Sequence, residues 1–183
     1  MRVIGITGKA GAGKDTAATL LSKMYPNSRI YHFADPLKEA CSAAFGIPLA
    51  HFNQREIKEM ENPFWRKSPR WMAQFVGTEL FRNLIGEDFW IRRAEMEYVN
   101  ADADGIGTLI VPDVRFDNEA NWIGEHSGTM LEIVRSGIPE VGISGHASEA
   151  GINWNNYRGE YELIHNDGSF EDLNTQLNRI NFN

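Results

Sequence analysis

Apolar and polar positions alternate between two rhythms along the chain. Residues 2–7 form a short apolar run of β type that ends in glycines, and Lys14 to Met24 carries helical spacing until Pro26 stops it. Arg29–Phe33 reads as a second strand. Asp35-Pro36 then opens a helix, with Asp35 as N-cap and Pro36 at the first helical position. Ser68-Pro69 repeats that start ahead of a helix to about Leu84, whose Met72, Phe75, Val76, Leu80 and Leu84 follow one apolar stripe. Asp88 is expected to cap the next helix, which buries Trp90, Ile91, Ala94 and Tyr98.

Strand-plus-helix units then return. Thr108–Pro112 reads as a buried strand, Phe116–Glu125 as a helix and Met130–Val134 as a strand, before a glycine-rich segment from Ser136 to about Tyr157. Tyr161–His165 is the last strand, and Ser169 caps a final helix with Glu171 and Asp172 in its first turn. Five strands alternating with helices imply an α/β fold with a doubly wound parallel sheet, whose ligands sit at the carboxyl ends of the strands. The mostly helical stretch 46–101 interrupts that rhythm and is expected to pack as a substrate-side insert. The core would then be about 1–45 and 102–183 of a single domain spanning 1–183.

Composition narrows the class. The 183 residues are 42% hydrophobic, 11% aromatic and 23% charged, an ordinary globular mixture that can bury a full core. One cysteine, Cys41, excludes an intramolecular disulfide framework and suits a reducing, cytoplasmic setting. No apolar run approaches the roughly 20 residues of a membrane span. A net charge of −7 argues against a nucleic-acid polymer as partner. All six lysines lie at or before Lys67, and Arg66, Lys67 and Arg70 cluster among aromatic residues. That cluster reads either as a local anion site or as a solvated loop with its stems laid over apolar surface.

Gly8-Lys9-Ala10-Gly11-Ala12-Gly13-Lys14-Asp15-Thr16 resembles the Walker A loop, G-x-x-x-x-G-K-[ST]. Its glycines let successive backbone N–H groups curl around a phosphate, Lys14 reaches the β and γ phosphates, and the following helix adds its positive end. The loop directly joins the first strand to the first helix, as that mechanism requires. One position departs: Asp15 stands where the motif has Ser or Thr for Mg²⁺, and Thr16 follows one place later. Asp15 and Thr16 are both metal candidates. For Asp15 the plainer reading is a carboxylate favoured by the helix dipole.

Together with the loop, further segments resemble the deoxynucleoside monophosphate kinases of bacteriophages and some bacteria. They are Phe33-Ala34-Asp35-Pro36-Leu37-Lys38, Gln74-Phe75-Val76-Gly77-Thr78-Glu79 with Arg82, Asp113-Val114-Arg115-Phe116-Asp117-Asn118-Glu119-Ala120, His146-Ala147-Ser148-Glu149 and Asn166-Asp167-Gly168-Ser169. The resemblance runs from residue 4 to beyond 170. It implies a P-loop NTPase core like that of nucleoside monophosphate kinases, a five-stranded parallel sheet flanked by helices, and a lid at about 136–157. The implied reaction transfers the γ-phosphoryl of ATP to a deoxynucleoside monophosphate, with ATP and Mg²⁺ as donor and cofactor. The partners are small molecules, and a homodimer stays open.

Residue roles follow from that resemblance and from the pattern. Lys14, Arg115 and the lid arginine Arg135 are the catalytic candidates. Arg70, Gln74, Thr78 and Arg82 recur every four residues and would present two guanidinium groups on one face of their helix, the alternative being a solvated face. Lys9, Phe33, Asp35, Lys38 and Asp113 complete the acceptor side. Asp113 doubles as a partner for Mg²⁺ or a cap for the next helix, and Asp35 as an N-cap. Glu149 is a candidate for bonding the sugar or base. Asn166 and Gly168 are expected to touch the adenine of ATP through the backbone, and Phe33, Trp71 and Trp154 to stack on a base or belong to the core. A kinase resembling dephospho-coenzyme A kinase is the nearest rival. A GTPase switch would need Asn-Lys-x-Asp, which the chain lacks.

Overall fold

The computed structural model describes residues 1–138 and 150–182. Five parallel strands form one sheet: β1 (Arg2–Thr7), β2 (Ser28–Ile30), β3 (Thr108–Val111), β4 (Thr129–Val134) and β5 (Glu160–His165), in the order β2-β3-β1-β4-β5. Ile4 of β1 pairs with Ile110 on one side and Thr129 on the other. The central position of β1 explains its unbroken apolar run, since both faces of a parallel sheet are covered by helices. Helices α1 (Lys14–Met24) and α8 (Phe170–Arg179) bury one face against Ile4, Ile6, Ile110, Leu131, Ile133 and Ile164. Helices α6 (Phe89–Ala103) and α7 (Asp117–Glu125) cover the other, against Val3, Leu109, Val111 and Met130.

Between β2 and β3 lie α2 (Ala34–Phe45), α3 (Leu49–Asn53), α4 (Arg55–Lys58) and α5 (Pro69–Gln74). They gather around a separate small core of Cys41, Ile47, Phe52 and Met72. Ser68 caps α5 by accepting from Trp71 N at 3.2 Å, with Pro69 at its first position, as the sequence predicts. Ser169 and Asp172 cap α8 reciprocally.

Four expectations change. First, β2 ends at Ile30, because only Tyr31 N continues the ladder, to Ile110 O at 2.9 Å, before the chain turns away into α2. Second, α2 starts at Ala34, so Asp35 lies inside its first turn rather than capping it. Third, the Asp88 side chain caps no N–H of α6 and instead pairs with Arg92 at 2.8 Å. Fourth, α5 passes directly into a π-helix over Phe75–Ile85, closed by Gly86 N donating to Phe81 O at 3.1 Å. Hydrogen bonds from i to i+5 widen each turn beyond 3.6 residues, so a stripe counted for an α-helix rotates off the core. Met72 is buried accordingly, whereas Phe75 is 46% and Leu84 77% exposed.

Candidate active site

The first of two loops that build the site is the glycine loop between β1 and α1. Gly8, Gly11 and Gly13 take φ of 140°, 86° and 105°, conformations that L side chains avoid. A methyl on Gly8 would meet the carbonyl of Ile133, and one on Gly13 the side-chain amide of Asn166. That amide lies beneath the loop and donates to Ala12 O at 2.7 Å, while Asn166 N donates to Val134 O at 2.8 Å. Lys14 Nζ donates to Gly8 O at 2.6 Å and to Lys9 O at 3.0 Å, so the lysine curls over the loop it follows. Asp15 and Thr16 are exposed in the first turn of α1. Lys9 is exposed.

The second loop joins β2 to α2. Asp113, just beyond β3, accepts from Phe33 N and Ala34 N at 2.9 Å each and so supplies the cap that Asp35 does not. Asp35 instead accepts from Lys38 Nζ at 3.2 Å and lies 3.1 Å from His32 Nδ1. His32 Nε2 is 3.8 Å from Asp15, an ion-pair separation too long for a hydrogen bond. Asp15, His32, Asp35 and Lys38 therefore form a chain of charges from the phosphate loop to the next helix. The two carboxylates raise the His32 pKa to about 10, and the imidazole holds both of theirs below the ordinary range.

Beyond Lys38 a cavity of about 170 Å³ opens between α2, α5, the π-helix and the loop after β3. Phe33, Leu37, Phe52, Trp90 and Phe116 supply its apolar walls, while Lys38, Lys58, Arg70 and Arg115 supply positive charge. An apolar slot with a few convergent polar groups suits a small aromatic anion. Gln74, Thr78 and Asp113 also line it, so the structure brings together seven of the predicted acceptor residues: Phe33, Lys38, Arg70, Gln74, Thr78, Asp113 and Arg115. Gly77 lets the π-helix approach Leu37, and its carbonyl accepts from Trp90 Nε1 at 3.0 Å.

Other candidates lie elsewhere. The Arg82 side chain leaves the row begun by Arg70: it donates to Asn118 Oδ1 at 2.6 Å and covers the Phe116 ring at 3.8 Å. Trp71 stacks on Phe75 and Trp154 on Tyr161, leaving Phe33 as the one predicted stacking residue that faces the cavity. Arg135 is exposed just after β4, where Ser136 N donates to Asp167 Oδ1 at 2.6 Å. Gly168 packs its Cα against Asp172 at the start of α8. Residues 139–149, and with them Glu149 and half of the expected lid, lie outside the described residues.

Several participants were not legible beforehand. Lys58 and Glu119 both line the cavity, yet Lys58 sits in a polar stretch without pattern. Glu119 is fully buried and accepts from Arg115 N at 2.8 Å and Phe116 N at 3.2 Å, and burial pushes its pKa up to about 7. Its spacing after Arg115 and Phe116 was the available signal, a carboxylate reaching back over a helix start. His32 carried none.

Comparison with known proteins agrees with this geometry. The profile of the family described as deoxynucleotide monophosphate kinase matches residues 46–177. A protein of Acanthamoeba polyphaga mimivirus named for the same activity is 34% identical over 75% of this chain and 76% of its own. The deoxynucleoside-5'-monophosphate kinase of Escherichia phage T5 is 27% identical, covering 82% of this chain and 84% of its own. The deoxynucleotide monophosphate kinase of Enterobacteria phage T4 is 30% identical over 97% of both chains. In fold, the crystal structure of TT1252 from Thermus thermophilus superposes with a TM-score of 0.52 at 21% identity, over 97% of this chain and 95% of that one. Matched by that profile over residues 46–177 and 30–34% identical to two of these relatives, the chain belongs to the deoxynucleotide monophosphate kinase family.

Proposed function

We propose that this kinase transfers the γ-phosphoryl group of ATP to the 5'-phosphate of a deoxynucleoside monophosphate, giving ADP and the diphosphate for DNA synthesis. The observation that carries the reading is the line of contacts Asp15–His32–Asp35–Lys38, which sets the phosphate loop directly beside the cationic cavity. Donor and acceptor are both polyanions. Two unit charges about 4 Å apart repel by roughly 4 kcal/mol at an effective dielectric near 20, and the protein's main task is to neutralise and align them.

In this reading the loop N–H groups of residues 8–16 and Lys14 hold the donor phosphates, with Lys14 exchanging its contacts to Gly8 O and Lys9 O for phosphate oxygens. Lys38 and Arg70 hold the acceptor phosphate, Arg115 adds a further cation to the same cavity, and the nucleoside occupies the slot walled by Phe33, Phe52 and Trp90. Arg135 and Glu149 would act from the segment after β4, and Asn166 and Gly168 border the adenine side. Magnesium would shield the transferred phosphoryl charge. The donors present fit it: Asp15 and Thr16 offer hard oxygens in the first turn of α1. No group of three His, Cys, Asp or Glu that could cage a metal occurs among the described residues. One or two protein oxygens plus substrate phosphates is the usual way this ion is held.

The test is ADP formation in a coupled assay with ATP and Mg²⁺, offering each deoxynucleoside and ribonucleoside monophosphate separately. Turnover with deoxynucleoside monophosphates that disappears in Lys14→Ala is expected. Absence of turnover with every monophosphate, by a folded chain that binds ATP, would overturn the reading.

A further inference from the structure

Lys58 ends the four-residue helix α4 and reaches the acceptor cavity from a direction of its own, while Lys38 comes from α2 and Arg70 from α5. The acid beside it in sequence, Glu59, accepts from Arg70 Nε at 3.0 Å. No carboxylate stands within ion-pair distance of Lys58 among the described residues. Its ammonium is half-buried, and burial first, then Arg70 and Lys38, push its pKa down against the smaller opposing pull of Glu59 and Asp15. Cations brought together from three helices, one of them in no ion pair, form an arrangement that an entering dianion completes.

We propose that Lys58 is a ligand of the acceptor phosphate, and that Glu59 competes with that phosphate for Arg70. This rests on the acceptor assignment made above and extends it to α4. A deoxynucleoside monophosphate would place its phosphate among Lys38, Lys58 and Arg70, and Arg70 would exchange the Glu59 carboxylate for a phosphate oxygen. A planar guanidinium can offer two N–H groups to that phosphate, and the Lys58 ammonium adds a mobile point charge. The end of α4 thus sets an attractive group beside its own brake, and the two together fix how tightly the acceptor is held.

Steady-state kinetics of the full chain at saturating ATP and Mg²⁺, with the monophosphate varied, separate the outcomes. Lys58→Met is expected to raise the acceptor KM tenfold or more, with kcat within threefold and the ATP KM within twofold. Lys58→Arg should bring the acceptor KM back to within threefold of the parent. Glu59→Gln should lower it two- to fivefold. Calorimetric titration of the monophosphate into each protein without ATP should show the same order of affinities. An unchanged acceptor KM in Lys58→Met overturns the inference while leaving the kinase reading intact. So does a raised KM that Lys58→Arg fails to correct, since a role in folding alone would give that result. An unchanged or raised KM in Glu59→Gln overturns the competition. If the parent chain turns over no monophosphate, the kinase reading itself fails, and the titrations still report whether Lys58 binds the anion.

Discussion

His32 Nδ1 lies 3.1 Å from Asp35 Oδ2, and the same ring faces Asp15 with its other nitrogen. With its pKa raised to about 10 by Asp15 and Asp35, the imidazole binds a proton more tightly in the folded chain than in the unfolded one, where about 6.5 is expected. The stabilisation is fully present below pH 6.5 and is lost as pH rises through 10. Urea unfolding of the parent and of His32→Asn should therefore differ most near pH 6 and converge towards pH 10. A difference independent of pH would show that His32 contributes by packing alone.

Asp113 joins two loops that the sheet order keeps apart in sequence. Its carboxylate accepts from two N–H groups at the start of α2. Asp113→Ala should cost about 1–2 kcal/mol, the scale of a lost helix cap, and Asp113→Asn less because its amide oxygen still accepts. Denaturant titration checks the ranking. Equal losses for both variants would place the effect in charge rather than capping.

Glu119 carries the opposite sign of pH dependence from a surface acid. Its proton is held more tightly in the fold, up to about pH 7 against 4.5 for an unperturbed glutamate. Stability should fall as pH rises from 4.5 through 7, because the unfolded chain releases that proton first. Glu119→Gln keeps an acceptor for Arg115 N and Phe116 N and should flatten this slope. Glu119→Ala leaves both donors unmatched and should cost about 2–3 kcal/mol. Unfolding curves at pH 5 and pH 8 provide the comparison.

Arg82 is engaged with Asn118 and Phe116 and approaches Glu119 at 4.0 Å. Arg82→Ala is expected to lower the melting temperature by several degrees while the acceptor KM changes less than threefold. Arg70→Ala should show the reverse balance. An acceptor KM raised tenfold in Arg82→Ala would return that residue to the direct contacts.

The sheet and the phosphate loop could be read from the chain because each leaves a local mark. Buried parallel strands appear as short apolar runs, and the loop appears as glycines at fixed offsets before a lysine. The π-helix leaves no such mark. Residues 75–85 have the composition of an ordinary amphipathic helix, and the changed register shows only in the i to i+5 hydrogen bonding that ends with Gly86 N and Phe81 O. α5 sets Arg70 and Gln74 at the cavity and the first π turn adds Thr78, while the Arg82 side chain further along is engaged with Asn118. The cavity itself combines side chains from five separate stretches, so Lys58 gained meaning only from its neighbours in space. Asp35 misled for a related reason: a capping residue can come from a distant loop, and Asp113 does.

Asn166 follows the last strand, yet its amide props Ala12 in the first loop of the chain, 154 residues earlier. A chain emerging from the ribosome therefore exposes its phosphate loop long before it can brace it. Until β5 has been made and docked beside β4, the N-terminal glycines have no floor, and nucleotide affinity should be among the last properties the nascent enzyme acquires.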